Sequence, residues 1–376
     1  MSYNTALPFF SKKDIEEIIS QLEVILNGNG LLTKGPKVKE FEKLFAKYIG
    51  SNFGVAVNSG TSALELALKS ICINDGDEVI VPTQTFVSTA SSVINNGGIP
   101  IFCEINQNHL IDFDDLKAKI TDNTKAVIIV HFAGLIHPDI WQIKTYLKER
   151  NIYLIEDAAH AHGAQIDNVF AGNIGDFGCF SFYSTKIMTT GGEGGFITTN
   201  NEKLFDLCSS LGAIGIDKKS KNEIYINSGS NNRLTEFQAI MGISQLNKLE
   251  FFVKHRNEIA GIYKYRLSRL VEEGKIKFQE YPKNIRHPFW MFMVLIDNKD
   301  HNRIDIKNML MKDNININWP YQPLLHQQPV FSHLNQINLK KSEEYARNHL
   351  CLPIHLGIST EDAEYISTKF TKCLDF

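Results

Sequence analysis

Apolar residues fall into short β-branched runs through the first half of the chain, at residues 54–57, 78–81, 101–103, 126–130, 153–155, 178–182 and 196–198. Between several of them the apolar period lengthens to that of a helix, at 61–71, 87–95 and 139–149. Alternation of buried strands with helices predicts an α/β fold, with a mostly parallel seven-stranded sheet between helices. Ligands of such sheets bind beyond the carboxyl ends of the strands. Two amphipathic helices, 13–26 and 38–48, precede the sheet, and the glycine-rich stretch 28–36 between them reads as a loop.

After residue 234 the pattern changes. A broken helical stretch runs to 273, followed by candidate strands at 289–296 and 315–318 and helices at 342–348 and 361–373. The chain is therefore expected to divide into a large domain, 1–250, and a smaller C-terminal α+β domain, 251–376.

Composition narrows the class. A net charge of -3 gives no field that would draw the protein to nucleic acid or anionic lipid. No apolar run approaches the roughly 20 residues that span a bilayer, and residues 1–13 lack a basic segment followed by an apolar run, so neither membrane nor secretory signal is expected. The six cysteines show no CxxC spacing. They read as reduced, mostly buried residues of a cytoplasmic chain.

Three motifs carry candidate chemistry. The first, 58–63 (NSGTSA), follows a strand and opens a helix. Small residues let the backbone approach an anion, and the helix start offers N–H groups, with Thr61 and Ser62 adding hydroxyls. A plain helix cap is the alternative. The motif is not followed by GK[ST] and so is not a Walker loop, and the absence of GxGxxG counts against a nicotinamide oxidoreductase.

The second, 155–163 (IEDAAHAHG), places Asp157 at the end of a buried run. An acid there is costly without a partner. It could hold a cationic ring nitrogen, or simply cap the next turn. His160 and His162 are zinc ligands by type, but no third ligand has convincing spacing, so no metal is expected.

In the third, Lys186 follows an aromatic strand (FSFYSTK, 180–186) and precedes the glycine-rich loop 189–195 (TTGGEGG). Burial lowers a lysine's pKa and makes it a nucleophile toward a carbonyl. Ser181, five positions earlier, can add a phosphate contact. An anion cradle, an acid at a strand end and a desolvated lysine are what pyridoxal phosphate needs for its phosphate, ring nitrogen and aldehyde.

With these motifs in that order, the chain resembles the DegT/DnrJ/EryC1/StrS family of nucleotide-sugar aminotransferases, of the aspartate-aminotransferase fold. The resemblance also covers 32–42 (LTKGPKVKEFE), 81–88, 229–236 (GSNNRLTE) and 352–355 (LPIH). It implies that Lys186 forms the Schiff base and that Asp157 pairs with the ring nitrogen. Gly60, Thr61, Ser62 and Ser181 would cradle the phosphate, and Phe86 would stack on the ring rather than serve as core. His160 stands where the family often has glutamine, near the cofactor's phenolic oxygen. Asn231 would reach a partner's cofactor phosphate across a homodimer interface.

The resemblance implies an amino-acid donor, L-glutamate, and a keto-sugar acceptor, a nucleotide-linked 3- or 4-keto-deoxyhexose, with pyridoxamine phosphate between the two half-reactions. The segment 318–329 corresponds to one near the family's sugar site, although it also reads as a proline-rich surface loop. Family members with histidine in place of the lysine are dehydratases, and others could serve as non-catalytic binding proteins. The presence of Lys186 argues for transamination.

Overall fold

The computed structural model describes residues 2–29, 31–217, 219–220, 222–297, 302–334 and 338–375. Gly30, inside the expected loop 28–36, lies outside them. The seven expected strands are present as β1 (Phe53–Val57), β2 (Glu78–Pro82), β3 (Ile99–Cys103), β4 (Thr124–Val130), β5 (Tyr153–Asp157), β8 (Phe177–Ser181) and β9 (Gly195–Thr199). The two short strands β6 (Gln165–Ile166) and β7 (Val169–Phe170) lie between β5 and β8. The sheet order is β1-β9-β8-β5-β4-β2-β3. Neighbours pair in parallel from β3 through β8, whereas β9 runs antiparallel to both β8 and β1.

Both faces of this sheet are covered, and the strands are apolar for that reason. Along β4 the side chains alternate between the layers, Ala126 and Ile128 on one face and Val127 and Ile129 on the other. The first face packs against the helices Gly60–Ser70 and Glu202–Leu211. The second packs against Pro36–Ile49 and Ile140–Lys148, with Phe45 edge-on to Phe180 at 5.0 Å between centroids. Glu236, almost fully buried, accepts the N–H groups of Gly35, Lys37 and Val38 and so caps the helix Pro36–Ile49.

The later part of the chain builds a second, smaller core. An antiparallel sheet of β10 (Ile276–Phe278), β12 (Phe292–Ile296) and β13 (His349–Leu352) packs with the helices Leu249–Arg266, Arg303–Met311 and Thr360–Leu374. Strand β11 (Ile285–Arg286) instead joins β6 and β7 in a third sheet. The expected strand at 315–318 is reduced to single bridges, Tyr3 to Ile315 and Asn318 to Cys351. Ile315 and Ile317 are apolar because they are buried, not because they pair along a ladder. The first helix, Lys12–Val24, continues into a wide helical turn, Ile25–Asn29, which covers the end of the expected helix and the first two residues of the expected loop, with Gly28 at φ +85°. Among the described residues no helix is long and apolar enough to cross a membrane.

Candidate active site

The carboxyl edge of the large sheet opens into a cavity of about 530 Å³. The alternation of β5 decides which of its two terminal acids reaches it. Glu156 shares a face with Leu154 and is fully buried. Its carboxylate meets His131 Nε2 at 2.8 Å and accepts the N–H groups of Gly172, Ile174 and Gly175 at 2.8, 2.7 and 2.7 Å. Asp157 points to the opposite face and lines the cavity at 7% exposure. Its carboxylate accepts from Thr89 Oγ1 at 3.0 Å and from the Ala159 N–H at 3.2 Å. Burial raises its pKa, against the lowering pull of these two donors and of the Lys186 charge.

At one end of the cavity the helix Gly60–Ser70 begins. Ser59 caps it by accepting from the Ser62 N–H at 3.1 Å. Ser59, Gly60, Thr61, Ser88 and Ser181 line the cavity there. Glycine is required at 60, because a Cβ would lie 2.8 Å from the Ser181 Cβ. Ser62 departs from expectation. Its hydroxyl donates to Asn58 Oδ1 at 2.6 Å and lies 3.0 Å from Ser59 Oγ, and it does not line the cavity. Its place in the first turn directs it to the cap, and Ser59 lines the cavity instead.

Lys186 is half-buried, and its ammonium sits 4.1 Å from the centroid of the Trp290 ring. Burial lowers its pKa to about 8, with Asp157 opposing. The lysine rides on a hairpin. Ser181 of β8 and Gly195 of β9 are register partners. Beyond them, Phe182 N donates to Gly194 O at 2.8 Å and Ser184 N to Gly192 O at 3.1 Å. Because β9 runs backward, the chain leaves and re-enters the sheet at the cavity edge.

The lowered pKa gives a direct test. In the apoprotein, modification of Lys186 by trinitrobenzenesulfonate should rise with pH through a midpoint near 8. The amine is neutral and reactive above that value and protonated below it. Peptide mapping at a series of pH values reads it, and a midpoint shared with surface lysines would refute the assigned environment.

Phe86 is 54% exposed and lines the cavity, which distinguishes it from a core residue. His160 also lines it, whereas His162 is buried between the rings of Phe180 and Phe182. Among the described residues no group of three His, Cys, Asp or Glu side chains could hold a metal ion. Asn231 is exposed and lies outside the cavity lining. Among the lining residues, Trp290 was marked by no motif, and Tyr321 falls in the segment 318–329 that the resemblance places near the sugar site. Both lie more than 100 positions after Lys186, and their spacing carries no local signal.

The donor set fits pyridoxal phosphate: hydroxyls and a helix start at one end, a buried acid, an aromatic ring at the mouth and an amine of lowered pKa. The model of the DegT/DnrJ/EryC1/StrS aminotransferase family matches residues 12–371. The chain belongs to this family. It is an aminotransferase, and its cofactor is pyridoxal phosphate.

This aminotransferase is 35% identical to the spore coat polysaccharide biosynthesis protein SpsC of Bacillus subtilis, over 96% of this chain and 94% of that one. It is 32% identical to GDP-perosamine synthase of Escherichia coli O157:H7, over 91% of each chain. Its fold superposes on NtdA of Bacillus subtilis with bound cofactor PMP, at a TM-score of 0.90 and 27% identity, covering 99% of this chain and 86% of that one.

Proposed function

We propose that this aminotransferase moves the amino group of L-glutamate to a nucleotide-linked keto-deoxyhexose, in the biosynthesis of an amino sugar. The observation that carries the chemistry is the pairing of Lys186 with Asp157 in one cavity. The sugar class rests on relatives named for GDP-perosamine and for spore coat polysaccharide.

The cofactor, when bound, supplies an electron sink conjugated to the carbon that carries the amino group. Ser59, Thr61 and Ser181, with the first N–H groups of the helix Gly60–Ser70, hold its phosphate. Phe86 packs on its ring. Asp157 holds the ring-nitrogen proton as the conjugate anion, and Thr89 and the Ala159 N–H keep that carboxylate oriented. Lys186 Nζ would take the α-proton of the amino acid as base and then, as acid, deliver it to the cofactor's C4′ rather than return it to the α-carbon. A base near pKa 8 is poised for both directions at neutral pH.

The reading extends to assembly. The exposed Asn231 follows a loop that presents Ile224, Tyr225 and Ile226 to solvent. Such a surface suits a homodimer in which Asn231 serves the partner's site. We place the division between the two domains near residue 250, where the helix Leu249–Arg266 begins, and the enzyme in the cytoplasm, in keeping with its free cysteines.

The test is an acceptor screen. Protein loaded with pyridoxal phosphate is mixed with L-glutamate and a panel of nucleotide-linked 3-keto and 4-keto sugars, and 2-oxoglutarate release and product mass are followed. Release together with an amino-sugar product is expected for at least one member. Turnover with simple keto acids and none with any sugar would refute the substrate class.

A further inference from the structure

His160 is gripped by two aromatic side chains from distant parts of the chain. Trp290 stacks on its imidazole, with centroids 3.6 Å apart and planes at 20°. The Tyr321 hydroxyl lies 3.0 Å from Nε2. Those two ring planes are within 5° of parallel. Both aromatics come from unusual backbone. Tyr321 has φ +63°, and Phe289, just before Trp290, has φ +49°. A bulky residue takes this conformation only where its surroundings impose it, and such positions cluster at functional sites.

The hydrogen-bond inventory then fixes the protons. A neutral imidazole has one N–H and one lone pair. Burial, with the positive charge of Lys186, holds His160 well below the usual histidine range, so it is neutral. Burial raises the Tyr321 phenol, so it keeps its proton. Among the described residues, Nε2 of His160 is the hydrogen-bond partner of that hydroxyl. The phenol therefore donates and Nε2 accepts, which leaves the imidazole proton on Nδ1. That nitrogen is buried and has no partner among the described residues.

We propose that Tyr321 is a positioning residue of this aminotransferase: by donating to Nε2 it fixes His160 as the Nδ1–H tautomer in a single orientation against Trp290. The tautomer is a property of the apoprotein. Its consequence for the reaction rests on the reading above, in which His160 adjoins the cofactor. The ring that stacks on the imidazole also carries the Lys186 ammonium on its π surface. Tyr321 in turn meets Phe86 edge-on at 6.2 Å. Loss of one hydroxyl therefore loosens a unit that also holds the base and the ring at the cavity mouth.

The experiment uses full-length protein with 15N-labelled imidazoles, without and then with pyridoxal phosphate, and H160Q to assign the His160 signals. Two-bond proton–nitrogen spectra distinguish Nδ1–H from Nε2–H. Wild-type apoprotein should show His160 as Nδ1–H alone, and Tyr321→Phe should move the Nε2 signal and mix the tautomers. An Nε2–H signal in the wild type, or an unchanged signal in Tyr321→Phe, overturns the proposal. The first of these outcomes does not require Tyr321→Phe to fold. In the loaded enzyme, Tyr321→Phe should shift the visible absorption band and lower kcat about tenfold, with KM for the amino donor held within about twofold. An unchanged band and kcat overturns the positioning role. Failure of the wild type to bind pyridoxal phosphate would instead refute the functional reading, and the apoprotein spectra would still decide the tautomer.

Discussion

Lys186→Ala lowers transamination by about 10⁴-fold or more while the protein still folds. Proton transfer by a positioned side chain contributes up to about 10⁴-fold, and this substitution also removes the nucleophile. The fold should survive, because the side chain is half-buried and its contact with Trp290 is a single cation–π pair. Lys186→Arg separates the two roles of the charge. It keeps a cation for Trp290, but a guanidinium cannot give up its proton, so turnover should stay near the alanine level. Circular dichroism and thermal melting check the fold, and 2-oxoglutarate release checks turnover. Full activity in either variant would remove Lys186 from the mechanism.

Asp157→Asn lowers kcat by about 10³-fold, the scale of losing one preorganised electrostatic contact in a water-poor site. The amide keeps the shape and can accept from the Ala159 N–H through its one oxygen, with its NH2 facing the Thr89 hydroxyl, but it cannot carry the charge that holds a protonated ring nitrogen. Stability should move the other way. The folded-state pKa of Asp157 is raised, so the folded protein binds its proton more tightly than the unfolded chain does. That linkage costs stability increasingly as pH rises above the ordinary carboxyl value of 3.8, and the cost is fully present once pH exceeds the folded value. The asparagine variant lacks this cost and should melt no lower than wild type at neutral pH. A variant with lower melting temperature and intact kcat would show that Asp157 is structural.

Much of this site was legible because its parts are local. A strand end, a helix start and a glycine turn each leave a mark within about ten residues, and Gly60, Thr61, Asp157, Ser181 and Lys186 all stand beside such marks. The seven strands were legible because both faces of the sheet are buried. The reversal of β9 left no trace, since a buried strand reads the same in either direction. Ser62 was misplaced because the choice between Ser59 and Ser62 depends on the phase of the helix start. Trp290 was invisible as a site residue, and Tyr321 was reached only through the resemblance of the segment 318–329, because only the packing of the later chain against the sheet brings the two to His160. Strands β10 and β11 are too short for a period to declare itself.

The hairpin that carries Lys186 has a further consequence, in effective concentration. Its two stems are adjacent strands in register, tied at Ser181 and Gly195 and again beyond them. A lysine on a free loop would wander once its amine was released from a bond, and each return would cost loop entropy. Here the loop is already closed by those ties, so the cost of closing it does not recur at each return. On the proposed reading, the free amine would remain at a high local concentration beside the carbon whose proton it moves.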